Sequence, residues 1–244
     1  MAKRLTRKKL KQKDEFITFT EKLVNSAAQY RSYFIMAGIV LVFTIIFGGV
    51  GLYYYKDYSN KGSFTYFEAL HLYDMALKTQ DKKDINNALD TFESIRTGFT
   101  HLEISRLAVL YIGNCQYMLG NYNDAIGSYR EFLSAWGDKK PAIAAIAYNG
   151  EIQSYIAEND CKSALGIINS MLASNDNPMK QLTYIHAVTC YLTLNQPDKA
   201  VELLKEGLIK YNNNSDIKEQ LTNLLSYVNG KEKVKNAHNK TRKS

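Results

Sequence analysis

From Phe34 to Tyr55 the chain reads FIMAGIVLVFTIIFGGVGLYYY, 22 residues without a charged side chain. About 20 apolar residues suffice for one helix to cross the hydrocarbon core of a bilayer. A run of this length therefore divides the sequence into two parts that need not share a solvent. A cleavable signal peptide has a shorter apolar core ending in small residues, whereas this one ends in Tyr53, Tyr54 and Tyr55, suited to an interfacial aromatic belt. The other reading of such a run is a buried helix of a soluble core. Gly48, Gly49 and Gly51 offer close helix approach but form no G-x-x-x-G pair.

Charge is distributed unevenly around this run. Residues 1–32 hold nine Lys/Arg against three Asp/Glu, residues 59–229 hold 15 against 19, and residues 230–244 hold six against one. The formal net charge of +7 thus resides in the tails. Basic residues collect on the cytoplasmic side of a membrane segment, which predicts an internal N-terminus, a span over 33–55 and an exported remainder. Residues 3–13 fit contact with anionic lipid, with ribosome or nucleic-acid contact the disfavoured alternative. Membrane lipid is accordingly the expected partner of residues 1–55. Within 14–32, Phe16, Phe19, Leu23, Ala27 and Tyr30 recur at helical spacing, as an amphipathic helix or an extension of the span would require. Residues 230–244 contain almost no large apolar side chain and are expected to be disordered.

The exported part has about 170 residues, enough for one domain with a substantial core. Three cysteines, Cys115, Cys161 and Cys190, stand far apart with no C-x-x-C pattern, so neither a zinc site nor a dithiol redox motif is indicated. Buried thiols are the favoured reading; if a pair bridges, Cys161 and Cys190 are nearest in sequence. The four histidines lack ligand spacing, and no phosphate loop, G-x-S-x-G elbow or H-E-x-x-H motif occurs. The expectation is a protein without enzymatic activity, cofactor, metal or small-molecule substrate.

Helical periodicity extends from Phe64 to Val228, and it repeats. The phrases INNALDTF, YNDAIGSY, CKSALGII and PDKAVELL place Ala88, Ala125, Ala164 and Ala200 at intervals of 37, 39 and 36 residues. Each phrase opens a helix after a short polar turn. Spacing of this kind marks a stack of helix pairs, each burying its apolar face on its neighbours. The stretch Gly113–Leu133 is the clearest unit: Gly113 is the small residue of the first helix, Gly120 the turn, Ala125 the small residue of the second, and Tyr129 and Phe132 the large fillers. These residues resemble the tetratricopeptide repeat. That resemblance implies an all-α right-handed solenoid of about four helix pairs over 59–229. Residues 215–229 are expected to be a capping helix with Ser215 as N-cap and an apolar stripe of Leu221, Leu224, Leu225 and Val228. The first unit, Tyr66 to about Phe99, is degenerate, with KTQDKKDIN read as a long polar turn.

Family geometry implies a groove lined by the first helix of each pair. It assigns Leu107, Leu110, Asn114, Tyr117 and Met118 from the second unit, Asn149, Gln153 and Ile156 from the third, and Leu182, Ile185, Thr189 and Leu192 from the fourth. With Leu110 where a clamp lysine would stand, an extended or helical apolar peptide suits this surface better than an acidic C-terminus. The order of basic N-terminus, single span and exported degenerate repeats is similar to the YfgM-like family, ancillary subunits of the bacterial SecYEG translocon. That resemblance implies a non-enzymatic scaffold in the bacterial inner membrane with its repeat domain in the periplasm. Its partners would be translocon subunits, periplasmic chaperones or exported substrates. A subunit of another envelope complex, in division or secretion-machine assembly, is the alternative of the same class. A cytoplasm-facing tether that uses the basic tails on nucleic acid or ribosomes is the alternative of a different class.

Overall fold

The computed structural model describes residues 21, 24, 30–137, 139–174 and 176–241, with side chains placed except at 34 and 232–241. The amphipathic stretch expected within 14–32 lies almost wholly outside the described residues. Among the described residues the protein is all helical, without a strand. The helices are α1 (Arg31–Thr79), α2 (Lys82–Gly98), α3 (Glu103–Leu119), α4 (Tyr122–Trp136), α5 (Pro141–Ala157), α6 (Cys161–Ala173), α7 (Lys180–Thr193), α8 (Pro197–Lys210) and α9 (Ser215–Thr241).

The chain divides into two compact units, residues 1–59 and 60–244. In the first, the apolar part of α1 is long and apolar enough to cross a membrane by length and composition, and none of it is buried. The consecutive residues Ile39, Val40, Leu41, Val42 and Phe43 are all exposed, and five successive positions go round every side of the helix. A helix apolar all round requires either a protein core or lipid about it.

The second unit is a tetratricopeptide-like solenoid. The end of α1 pairs with α2, α3 with α4, α5 with α6, and α7 with α8; α9 packs on α7 and α8. The four intra-pair turns share one device, a residue of left-handed backbone at Gln80, Gly120, Asn159 and Asn195. At Gly120 it caps α3, with amide bonds to the carbonyls of Gln116 and Tyr117. Pro141 and Pro197 open α5 and α8, where a fixed φ and a missing N–H cost nothing.

Three local expectations are corrected. The turn between α1 and α2 is short, not long: Asp81 accepts a hydrogen bond from the Lys83 amide at 2.7 Å, starting α2 within the polar run. The N-cap of α9 is Asn214, whose side-chain oxygen accepts from the Ile217 amide at 3.1 Å, while the Ser215 hydroxyl turns to Asp216. Finally, α9 continues past residue 229 to Thr241, so the backbone of 230–241 is helical where composition suggested disorder. Lys, Glu and Ala are good helix formers, and extending a nucleated helix is far easier than starting one.

The core explains the repeat. Ala88, Ala125, Ala164 and Ala200 have no exposed surface, and each lies where the second helix of its pair meets the first. A matching ladder runs through the first helices: Ala76, Gly113, Gly150 and Ala187, at a constant spacing of 37 residues. Tyr129 shows why these positions are small. Its ring lies against Gly113, where a Cβ would stand 2.8 Å from Cε1, and a methyl group at Gly150 would run into Cζ of the same ring. One tyrosine thus fills the junction of α3, α4 and α5. Its hydroxyl donates to Asn114 Oδ1 at 2.8 Å, and burial holds the phenol protonated far above the ordinary tyrosine range. Phe132 is fully buried in the same cluster, in edge contact with Trp136 at 5.8 Å.

The first pair packs on aromatic rings. Phe92 and Tyr111 stack with centroids 4.9 Å apart, and Tyr66 and Tyr73 meet both rings edge-on. Such pairs add about 0.5–1.5 kcal/mol each beyond their buried area. At the other end α9 buries Leu221 and Val228 against Tyr184 and Leu204, with Leu224 and Leu225 partly covered.

Candidate protein-binding face

The residues assigned to a groove separate into two groups. In α3 they are mostly packed. Leu110 is only 5% exposed and belongs to the cluster of Ala125, Tyr129 and Ala147, so it is a core residue, contrary to its assignment. Leu107 and Tyr117 lean on that same cluster, and the Tyr117 ring sits 5.4 Å from that of Tyr122. Met118 packs against the aromatic core of the first pair. Asn114 is half-buried and engaged by Tyr129.

In α5 and α7 the assigned residues other than Ile156 keep part of their surface accessible. Asn149 and Gln153 lie on one side of α5 together with Ile146, which the sequence reading did not single out and which is 44% exposed. Their spacing of three and four residues puts them on one helix face. Leu182, Ile185, Thr189 and Leu192 share one face of α7 by the same spacing; Ile185 is 40% exposed and Thr189 is exposed. Leu182 and Leu192 are half-buried, and Ile156 turns toward the core between α5 and α6. A hydrogen bond of 2.9 Å between His186 Nε2 and Asn149 Oδ1 joins the two helices. Burial lowers the His186 pKa from its ordinary value, keeping the ring neutral there. The side chains named on this face are aliphatic, amide, hydroxyl and a neutral imidazole, and none carries a charge.

Behind this face the packing alternates. Arg96 reaches from α2 to Glu131 of α4 at 3.2 Å. One repeat further on, the corresponding positions are Leu133 and Ser170, which cannot form that bridge. There a cavity of about 570 Å³ opens, lined by Ala144, Ala145 and Tyr148 of α5 and by Gly166, Ile167 and Met171 of α6, among others. Between α4 and α5, by contrast, Arg130 donates through Nε to the buried Glu151 carboxylate at 2.7 Å and also bonds the Tyr155 hydroxyl.

Among the described residues no group of His, Cys, Asp or Glu could hold a metal ion. Every fully buried side-chain polar atom described has a hydrogen-bond partner.

Known proteins share parts of this architecture. Residues 107–139, covering α3, α4 and the turn after them, match the family profile described as tetratricopeptide repeat. Among solved structures, 72% of this chain superposes on 97% of a Podosopora anserina chain described as kinesin light chain nearly identical TPR-like repeats. The TM-score is 0.52 and the identity 14%, a likeness of fold alone. No curated protein matches the sequence. The chain therefore contains a tetratricopeptide-type repeat within a tetratricopeptide-like solenoid, an architecture that typically serves as a scaffold for protein interaction.

Proposed function

We propose that this protein is a single-pass, membrane-anchored scaffold whose repeat array binds segments of other proteins on the face shared by α5 and α7. The observation that carries this reading is the uncharged face itself: Ile146 and Ile185 are exposed beside the Asn149–His186 hydrogen bond. Stacked helix pairs offer extended surfaces of this kind to partner chains. Aliphatic side chains can take the apolar residues of a bound segment, and amide side chains such as Gln153 can pair with its backbone. The fully exposed apolar part of α1 supports the anchor, and the basic residues preceding it favour a cytoplasmic N-terminus and an exported array.

On that topology, the similarity in layout to translocon-associated YfgM-like proteins favours work at the bacterial inner membrane. The array would hold exported chains or periplasmic chaperones near the translocon. In-cell photocrosslinking from position 185 of the full chain tests this. Capture of translocon subunits, envelope chaperones or exported chains supports the reading; capture of cytoplasmic proteins or RNA overturns it. Capture of division or secretion-machine components would move the protein to another envelope complex and leave the binding face in place.

A further inference from the structure

Cys115, Cys161 and Cys190 are all buried free thiols, but they are not equivalent. Cys115 lies in the aromatic core of the first pair, apart from the others. Cys161 and Cys190 lie in one buried cluster with Ala164, Ile168 and Ala187, on two helices that pack directly on each other. One belongs to the second helix of the third pair, the other to the first helix of the fourth. Two buried thiols in one cluster on packed neighbouring helices are the pair of this chain placed to meet the Cα separation of roughly 4.4–6.8 Å that a disulfide requires.

We infer that Cys161 and Cys190 form an intramolecular disulfide that clips the third helix pair to the fourth, with Cys115 left as a thiol. The local structure explains how the bond can close. Cys161 is the first residue of α6, directly after the left-handed Asn159 and the Asp160 cap. Helix ends fray more readily than helix centres, so Cys161 is the sulfur that meets an oxidant first. Cys190 sits inside α7, and burial holds its thiol protonated until that opening occurs.

The chemistry is thiol–disulfide exchange with a disulfide-bearing oxidant, either a small molecule or an oxidase protein. The Cys161 thiolate attacks one sulfur of the oxidant, forming a mixed disulfide and releasing one thiolate. The Cys190 thiolate then attacks Cys161 Sγ, closing the bridge and releasing the second. The two cysteines give up two electrons and two protons, and the oxidant leaves as two thiols. The bridge ties α6 to α7 across a chain segment of about 30 residues, constraining the unfolded chain. In the folded state it fixes the spacing of α5 and α7 by holding the helix packed on both. This inference stands whether or not the partner-binding proposal does, because its chemistry is read on the purified chain.

The test is incubation of the full chain in detergent with oxidised glutathione under non-denaturing conditions, followed by alkylation, proteolysis and mass mapping. The expected result is a peptide joining Cys161 to Cys190, with Cys115 alkylated. The melting temperature should rise by about 5–10 °C and return on adding dithiothreitol. Cys115→Ala should keep both the bridge and the shift. Cys161→Ala and Cys190→Ala, close in volume to the native residues, should lose both while retaining the helical circular-dichroism signal. Three alkylatable thiols in the treated folded protein, a bridge to Cys115, or a bridge seen only after denaturation would overturn the inference.

Discussion

Two glycine pairs in the same array behave oppositely. Gly113 and Gly150 face each other across the Tyr129 ring, with no room for even a methyl group. Gly127 and Gly166, two residues after the repeat alanines, have nothing within 4 Å of where a Cβ would stand. The first pair is a packing requirement that holds α3, α4 and α5 to a single separation. The second lies on the outer side of α4 and α6, and at Gly166 it opens onto the cavity. Small residues here mark two conditions, contact and vacancy, which sequence alone does not distinguish.

The contrast can be broken most decisively at the junction. Gly150→Leu should abolish cooperative melting of the array, because the clash is with an aromatic ring fixed on both sides. An unchanged melting curve would show that the junction is not tight. Tyr129→Ala should destabilise by about 3–5 kcal/mol in chemical denaturation, and combining it with Gly150→Ala should cost less than the sum of the two changes, because the clash has gone. Arg130→Met leaves the buried Glu151 carboxylate without its partner and should cost about 1–2 kcal/mol, moderated because the arginine is largely exposed. At the vacant positions the sign reverses. Gly166→Ala and Gly127→Ala should each stabilise by about 0.5–1 kcal/mol through helix propensity, and a loss at position 166 would mean that the cavity wall is already full. Smallest of all, Ile146→Glu with Ile185→Glu should move stability by about 0.5 kcal/mol or less. That pair of changes should nevertheless weaken partner capture at least tenfold, by quantitative crosslinking.

His186 adds a pH dependence to the open side of the array. Its folded-state pKa is depressed by burial, so the unfolded chain binds the proton more readily. Stability should therefore be intact above the ordinary histidine pKa of about 6.5 and fall as pH drops below it. His186→Gln should flatten that part of the stability profile, as read by denaturant titration at several pH values.

Much of the solenoid was legible from residues of one kind in one place. Ala88, Ala125, Ala164 and Ala200 announce the second helix of each pair because only a small side chain fits where the two helices cross. The companion ladder Ala76–Gly113–Gly150–Ala187 was present at a stricter period but is embedded in phrases that do not resemble one another, so only Gly113 stood out. The third pair also disturbs the register: Ala164 follows Gly150 by 14 residues, whereas Ala125 follows Gly113 by 12. The binding face was harder to read. The spacing that puts Leu110 on a groove cannot show that Tyr129 and Ala147 cover it, and Ile146 escaped notice because its exposure depends on how α6 and α7 flank α5. Nearness in sequence singled out Cys161 and Cys190, but that both end in one buried cluster on neighbouring helices is a fact of packing that a single sequence does not carry.

The left-handed residue in each intra-pair turn has one more consequence. At Gln80 a side chain occupies a conformation that costs roughly 1–2 kcal/mol for most residues other than glycine, a cost that asparagine at 159 and 195 largely escapes and Gly120 does not bear. The chain therefore makes the same left-handed reversal at four like places, spaced along its length, with appreciable strain at Gln80 alone. Because the joints are alike, a helix pair excised or duplicated between them would leave its neighbours with the same reversal at each end, so that the length of this array can change without a new kind of joint.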